Sequence, residues 1–359
     1  MLNTKTLAKL ILVTLVCAIP VAYLATRQPE SAIKGNGTLF LPNLLKDPDH
    51  IKTLVIQDHT QTLTVQRNAA AWQILEKNNF PVLHDKVEEL LFGLADMRIV
   101  EPKTANPNLL AQIDLNDPAE PESKAIVITV LDAAEQELAK VVVGKRESLR
   151  LGEEFAEHIF IRNASEQQAW LVQGMLPISN DFHDWVEQPL LSLVDVEQIK
   201  SVHISQANGQ KVAITKNSAE QEDFILENVQ PKLGMALDIE SINTLPFKVA
   251  ELEFNDVTPA KQIDLDWAQS TVAELQTFGG VTVALNVLKQ DDHVYGKVHA
   301  TVSDTADEDL KQQVAKYNAN SQTWYYSLPA EFYQAITVSN DDLLKVEEPV
   351  IQDQAVVQK

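Results

Sequence analysis

Cysteine is almost missing from the 359 residues, and Cys17 stands alone in an apolar N-terminal run. A single thiol excludes an intramolecular disulfide and a thiolate metal cluster. Such scarcity fits an oxidising compartment, where stray thiols are a liability. Basic residues are also few: 29 Lys+Arg face 51 Asp+Glu, for a net charge of −22. That surface repels phosphate backbones and anionic headgroups, which argues against nucleic-acid binding and against peripheral electrostatic attachment to a membrane. Reactive motifs are lacking as well. There is no Gly-x-Ser-x-Gly, and the eight histidines form neither His-Glu-x-x-His nor a pair at helical i, i+4 spacing. His293 and His299 flank "VYGKV", where a strand pair would hold them far apart. In "VVVGKRE" (141–147) Ala139 stands where a phosphate loop needs glycine and Arg146 where it needs Ser or Thr. "DPDH" (47–50) and "DTADED" (304–309) lack the Gly-centred spacing of a calcium loop. The expectation is no catalytic residue, no cofactor and no metal.

What is present begins with a membrane signal. "LAKLILVTLVCAIPVAYLA" (Leu7–Ala25) carries no charge from Leu10 until Arg27. At ~1.5 Å per residue it spans about one bilayer core, and Pro20 is tolerable in such a helix. A cleaved signal peptide competes, but cleavage after Ala25 puts Tyr23 at −3, and after Ala22 it puts Pro20 there. Val16 before Cys17 does not suit a lipoprotein. An uncleaved anchor is the better reading. Lys5 and Lys9 precede the span and put the N-terminus in the cytoplasm, with the rest of the chain outside.

The remainder is 45% hydrophobic over the whole chain and long enough for two domains of ~150 residues. From Ile51, "IKTLVIQ", "TLTVQ" and "WQIL" read as alternating strands. Val87, Leu90, Leu91 and Leu94 then mark one face of a helix. Strands follow at "MRIVE", "AIVITVL", "LAKVVVG", "HIFIRN" and "AWLV", and a short helix near "NDFHDWV". The order recurs from Ile199. "IKSVHIS" answers "IKTLVIQ", "KVAIT" answers "TLTVQ", and a helix with Ile239, Ile242 and Leu245 answers that of Val87. "VAELEF" answers "LADMRIV", "VTVALNVL" answers "IVITVL", and Trp324 answers Trp170. "QIDL" itself occurs twice, at 112–115 and 262–265. The period is too long for a solenoid, so the pattern predicts a duplication at domain scale. The second copy adds an amphipathic helix with Leu310, Val314 and Tyr317 on one face. The boundaries expected are a cytoplasmic start and anchor at 1–26, a linker at 27–50, units at 51–195 and 196–346, and a frayed tail at 347–359. The fold class is α+β, with each unit a mostly antiparallel sheet packed by helices.

The anchor, "LFLPNLL", Trp72, "FP" before the helix, "EPKTANP" (101–107), Leu115 before "DP", Gly144, Arg162 and "DW…PLL" with Trp185 resemble a bacterial family, domain of unknown function 4340. In this chain "QIDL" replaces a glycine-containing turn more usual there. The family has no established catalytic residues. Its members typically lie beside an ATP-binding subunit, a permease and a gliding-motility-type auxiliary subunit of an ABC transport system. The resemblance implies a non-enzymatic accessory or binding subunit with protein partners, tethered to the bacterial inner membrane with its bulk in the periplasm. An envelope hydrolase with a site between the repeats, or a structural scaffold, are the alternatives. A reporter active only outside the cytoplasm should work when fused after Lys359. Activity of a cytoplasm-only reporter at that site overturns the orientation.

Overall fold

The computed structural model describes residues 37–69, 71–151 and 154–347, with side chains 149–151 and 154–156 left aside. The expected span at Leu7–Ala25 and residues 348–359 of the expected tail lie outside these. Among the described residues no helix is long and apolar enough to cross a membrane. The fold is mixed α and β, dominated by antiparallel sheets. The chain divides into two compact units, residues 1–72 with 84–181 and residues 73–83 with 182–359.

The first unit begins with β1 (Ile51–Gln57), β2 (Thr62–Asn68) and β3 (Ala71–Ile74); from Gln73, β3 and its hairpin partner β4 (Phe80–Pro81) count with the second unit. It continues through α1 (His84–Asp96), β5 (Arg98–Pro102), the one-turn α2 (Pro107–Leu110), β6 (Ile126–Asp132), β7 (Glu137–Leu151), β8 (Glu154–Asn163) and β9 (Trp170–Gln173). Spatially the strands run β2-β1-β6-β7-β8-β9-β5. The expected stripe of α1, Val87, Leu90, Leu91 and Leu94, is buried. Phe40 and Leu44 of "LFLPNLL" are buried too, and Phe40 N–H donates to Met97 O at 2.8 Å beside β5.

The turn at "QIDL" crosses the face of β7 at one point. A Cβ on Gly144 would stand 2.2 Å from Ile113 O and 2.8 Å from Asp114 O, so only glycine lets the two backbones meet. Leu115 enters the core beside Leu110, Val127, Val142 and Phe160. Arg162 reaches from β8 and donates to Leu115 O at 3.2 Å, with further bonds to Ala164 O and Glu166 O. Asp114 takes φ 56° and ψ 35°, a left-handed conformation that glycine adopts without strain. That accounts for the glycine expected in this turn.

The second unit contains β10 (Ile199–Ser205), β11 (Lys211–Thr215), β12 (Ile225–Leu226), β13 (Met235–Leu237), α3 (Ile239–Ala250) and β14 (Asp256–Pro259). Then come β15 (Thr271–Thr277), β16 (Val281–Gln290), β17 (His293–Val302), α4 (Glu308–Ser321), β18 (Trp324–Ser327), α5 (Ala330–Ile336) and β19 (Leu344–Val346). The sheet order is β12-β11-β10-β15-β16-β17-β18-β14, and β13 pairs with β19 separately. α3 packs on β10 and β15, and α4 along β17. The side-chain amide of Asn318 on α4 closes both hydrogen bonds of Ala300, donating to its carbonyl at 2.7 Å and accepting from its N–H at 2.8 Å. It takes over where the pairing of β17 with β18, seen at Tyr295 and Gly296, has ended. The outermost strand β14 ends in Pro259, which has no N–H, and Val257 N–H donates to Asp256 Oδ1 at 2.7 Å.

Four expectations are corrected. "VAELEF" is not a strand: α3 runs to Ala250, with Pro246 inside it, and the strand starts at Asp256. Ile239 opens α3 at its exposed end, and the buried stripe is Ile242, Leu245, Val249 and Ala250. "VTVALNVL" (β16) stands two places from β10, whereas "IVITVL" (β6) stands beside β1; the strand beside β10 is β15. His293 and His299 fall on a single strand, β17, not on a pair.

Gly144→Ala should lower the unfolding free energy by ~2 kcal/mol or more, because the backbone must move apart. Asp114→Gly should not lower it, since relief of left-handed strain offsets the chain entropy of glycine. Denaturant unfolding checks both, and a Gly144→Ala variant as stable as the parent overturns the crossing.

Candidate functional site

The cavity richest in chemistry lies wholly within the second unit and measures about 330 Å³. That is at the lower end of the ~300–1,000 Å³ typical of small-ligand sites. Its floor is aromatic. Phe80 and Phe254 lie 6.1 Å apart between ring centroids, and Tyr326 sits 5.0 Å from Phe254 in edge-on contact. Trp324 and Phe182 extend the cluster, at 5.0 Å and 5.8 Å from Phe80. Alternation in β18 explains this: Trp324 and Tyr326 turn inward while Tyr325 turns out against Trp267.

One wall comes from α4. Asp307 caps the helix, its Oδ1 accepting from Leu310 N–H at 2.7 Å, and acidic residues fill the first turn as the helix dipole favours. Gln313, Lys316, Tyr317 and Asn320 follow at i, i+3, i+4 and i+7, so they share a face and line the cavity. Ser321 lies beside them, 3% exposed, and its hydroxyl has no hydrogen-bond partner. The opposite wall is Glu187 to Leu193, where Tyr317 donates its phenolic hydrogen to Leu190 O at 2.9 Å. Burial raises the pKa of both Tyr317 and Tyr326 well above the ordinary phenol value, and the nearby Glu187 carboxylate adds to it. These phenols stay neutral. A second cavity, about 490 Å³, opens where Pro259–Gln262 approach Asn78 and Asn79.

The polar residues most suggestive of catalysis in the sequence are scattered. His158 pairs across from Glu147 in the first unit. His183 Nε2 lies 3.1 Å from Asn255 O in the second, and His293 stands beside the ring of Tyr295 at 6.1 Å. Asp304 is exposed and Asp307 is a helix cap. Among the described residues no three His, Cys, Asp or Glu side chains gather as a metal site. Sequence reasoning marked the Leu310, Val314, Tyr317 stripe of α4 and missed the neighbouring polar one. Residues 313, 316 and 320 repeat at the same period, and that was the available signal. Glu187 had none, because a turn residue has no periodicity.

Comparison with known proteins gives one match. A family model described as a domain of unknown function, DUF4340, covers residues 72–276, more than half of the chain. No curated protein and no solved structure matches.

Raised phenol pKa values make an alkaline prediction. Folded Tyr317 and Tyr326 resist ionisation while unfolded tyrosines ionise near pH ~10. The stability this contributes is complete below that pH and falls as pH rises above it. Tyr317→Phe and Tyr326→Phe should each leave the phenolate absorbance of the folded protein unchanged up to pH ~11. Loss of absorbance in either variant overturns the assignment.

Proposed function

The chain belongs to the DUF4340 family, and we propose that it is a non-enzymatic, membrane-tethered accessory or binding subunit of an ABC-type envelope transport system. In this reading Leu7–Ala25 is a single-pass anchor in the bacterial inner membrane and the bulk of the chain is periplasmic. Tethering raises the effective concentration for a membrane-embedded partner. The observation that carries the binding role is the cavity of the second unit. Its two phenols are held neutral, one of them bound to the backbone at Leu190, so its wall is built for contact more than for proton transfer. Aromatic rings with a few convergent polar groups are the usual make-up of a recognition pocket.

We also propose that the two units descend from one by duplication. Several features support this. Around the central strand the orders β2-β1-β6-β7-β8-β9-β5 and β11-β10-β15-β16-β17-β18-β14 run in parallel. The ladder of β1 with β6 shifts register between Ile51 and Thr53, and that of β10 with β15 between Ile199 and Ser201. Trp170 stands opposite Pro102, and Trp324 opposite Pro259.

Gentle detergent extraction should co-purify a permease and an ATP-binding subunit with this chain. Their absence after cross-linking in intact cells counts against the transport role. Ala replacements of His158, His183, His293 and Asp304 should leave cellular function intact. Asp307→Ala should cost only ~1 kcal/mol of stability through its cap. A replacement that silences the protein with an unchanged thermal melt would favour an enzyme, because losing a general acid or base costs ~10²–10⁴ in rate.

A further inference from the structure

We propose that the cavity of the second unit binds a small zwitterion with an apolar body: an ammonium and an anionic group close together on one hydrophobic scaffold. Glu187 and Lys316 reach the cavity from opposite walls, and among the described residues neither has an ion-pair partner. Exposed charges are often merely solvated. Here, however, two unpaired opposite charges face one space, and between them Ser321 buries a hydroxyl without a partner. A buried polar group left unsatisfied destabilises the fold, so it calls for a counterpart that arrives with a ligand.

The positions sort the two ends of that ligand. Glu187 lies close enough to Tyr317 and Tyr326 for its charge to act on both phenols. A cation there meets a carboxylate and aromatic faces together. Ser321 ends α4, where the helix dipole is negative, and its oxygen can accept from an ammonium. One turn earlier Lys316 offers a positive charge, with the carboxamides of Gln313 and Asn320 as donors on the same face. The apolar body then rests on the rings of Phe80 and Phe254. A free amino acid with an apolar side chain has this chemistry, and so does an ethanolamine phospholipid headgroup with its acyl chains. The inference does not depend on a transport partner, since the cavity belongs to one unit of this chain.

Calorimetric titration of the full-length chain in lipid-free amphipol tests it. The probes are L-phenylalanine, benzylamine (no carboxylate), 3-phenylpropionate (no ammonium) and dihexanoylphosphatidylethanolamine. At least one zwitterion should bind, with benzylamine and 3-phenylpropionate at least tenfold weaker than L-phenylalanine if that is the zwitterion bound. Preference for L-phenylalanine assigns a free amino acid, and preference for the phospholipid assigns a headgroup. Lys316→Met and Glu187→Gln should each weaken the bound zwitterion at least tenfold. Ser321→Ala should weaken it too while holding or raising the melting temperature, because it removes an unsatisfied hydroxyl. No binding by either zwitterion up to millimolar concentration overturns the proposal. Binding that survives both charge substitutions also overturns it.

Discussion

The first unit is organised around a single close approach, the carbonyl of Ile113 lying over the α-carbon of Gly144. A loop that crosses the face of a sheet brings polar backbone into an apolar place and needs partners for it. Gly144 supplies the room, and Arg162 supplies the donors, to Leu115 O and to the carbonyls of its own turn. Partial burial lowers the guanidinium pKa, yet arginine remains charged throughout the accessible range. Its charge therefore strengthens each of those hydrogen bonds. Only with the crossing closed can Leu115 fill the pocket lined by Val127, Val142 and Phe160.

In the second unit one helix has two occupations. The stripe of α4 containing Val314 packs inward, and Asn318 completes the hydrogen bonds of β17. The adjoining stripe lines the cavity. Tyr317 serves both, with its ring in the wall and its hydroxyl tied to Leu190. The helix that positions the cavity is thus also the element that finishes a strand edge, so the cavity wall is as rigid as the sheet beneath it.

Elements with clean periodicity were legible in the sequence. α1, β1, β10 and β11 emerged with their buried faces because large apolar residues recur at the right spacing. β15 was invisible for a definite reason. Its buried positions are Thr271, Ala273, Leu275 and Thr277, and two threonines and an alanine make a weak hydrophobic alternation. Missing it moved the match for "IVITVL" one strand along. Pro246 posed a different problem, since the extent of α3 is decided by packing against β10 and β15 more than by propensity. The cavity was hardest to read. Glu187, Ser321 and Tyr326 come from a turn, a helix end and a strand, and only tertiary folding brings them together.

Strand β14 carries a further implication. A terminal strand is a template onto which another chain can grow, and crowding of identical molecules makes that hazard acute. Here the template is defaced twice, by the ring of Pro259 and by the Asp256 carboxylate occupying the amide of Val257. Any carboxylate there also repels an incoming copy of so acidic a chain. The molecule can therefore be gathered at high surface density while its sheets stay separate, and association is left to side chains that discriminate between partners.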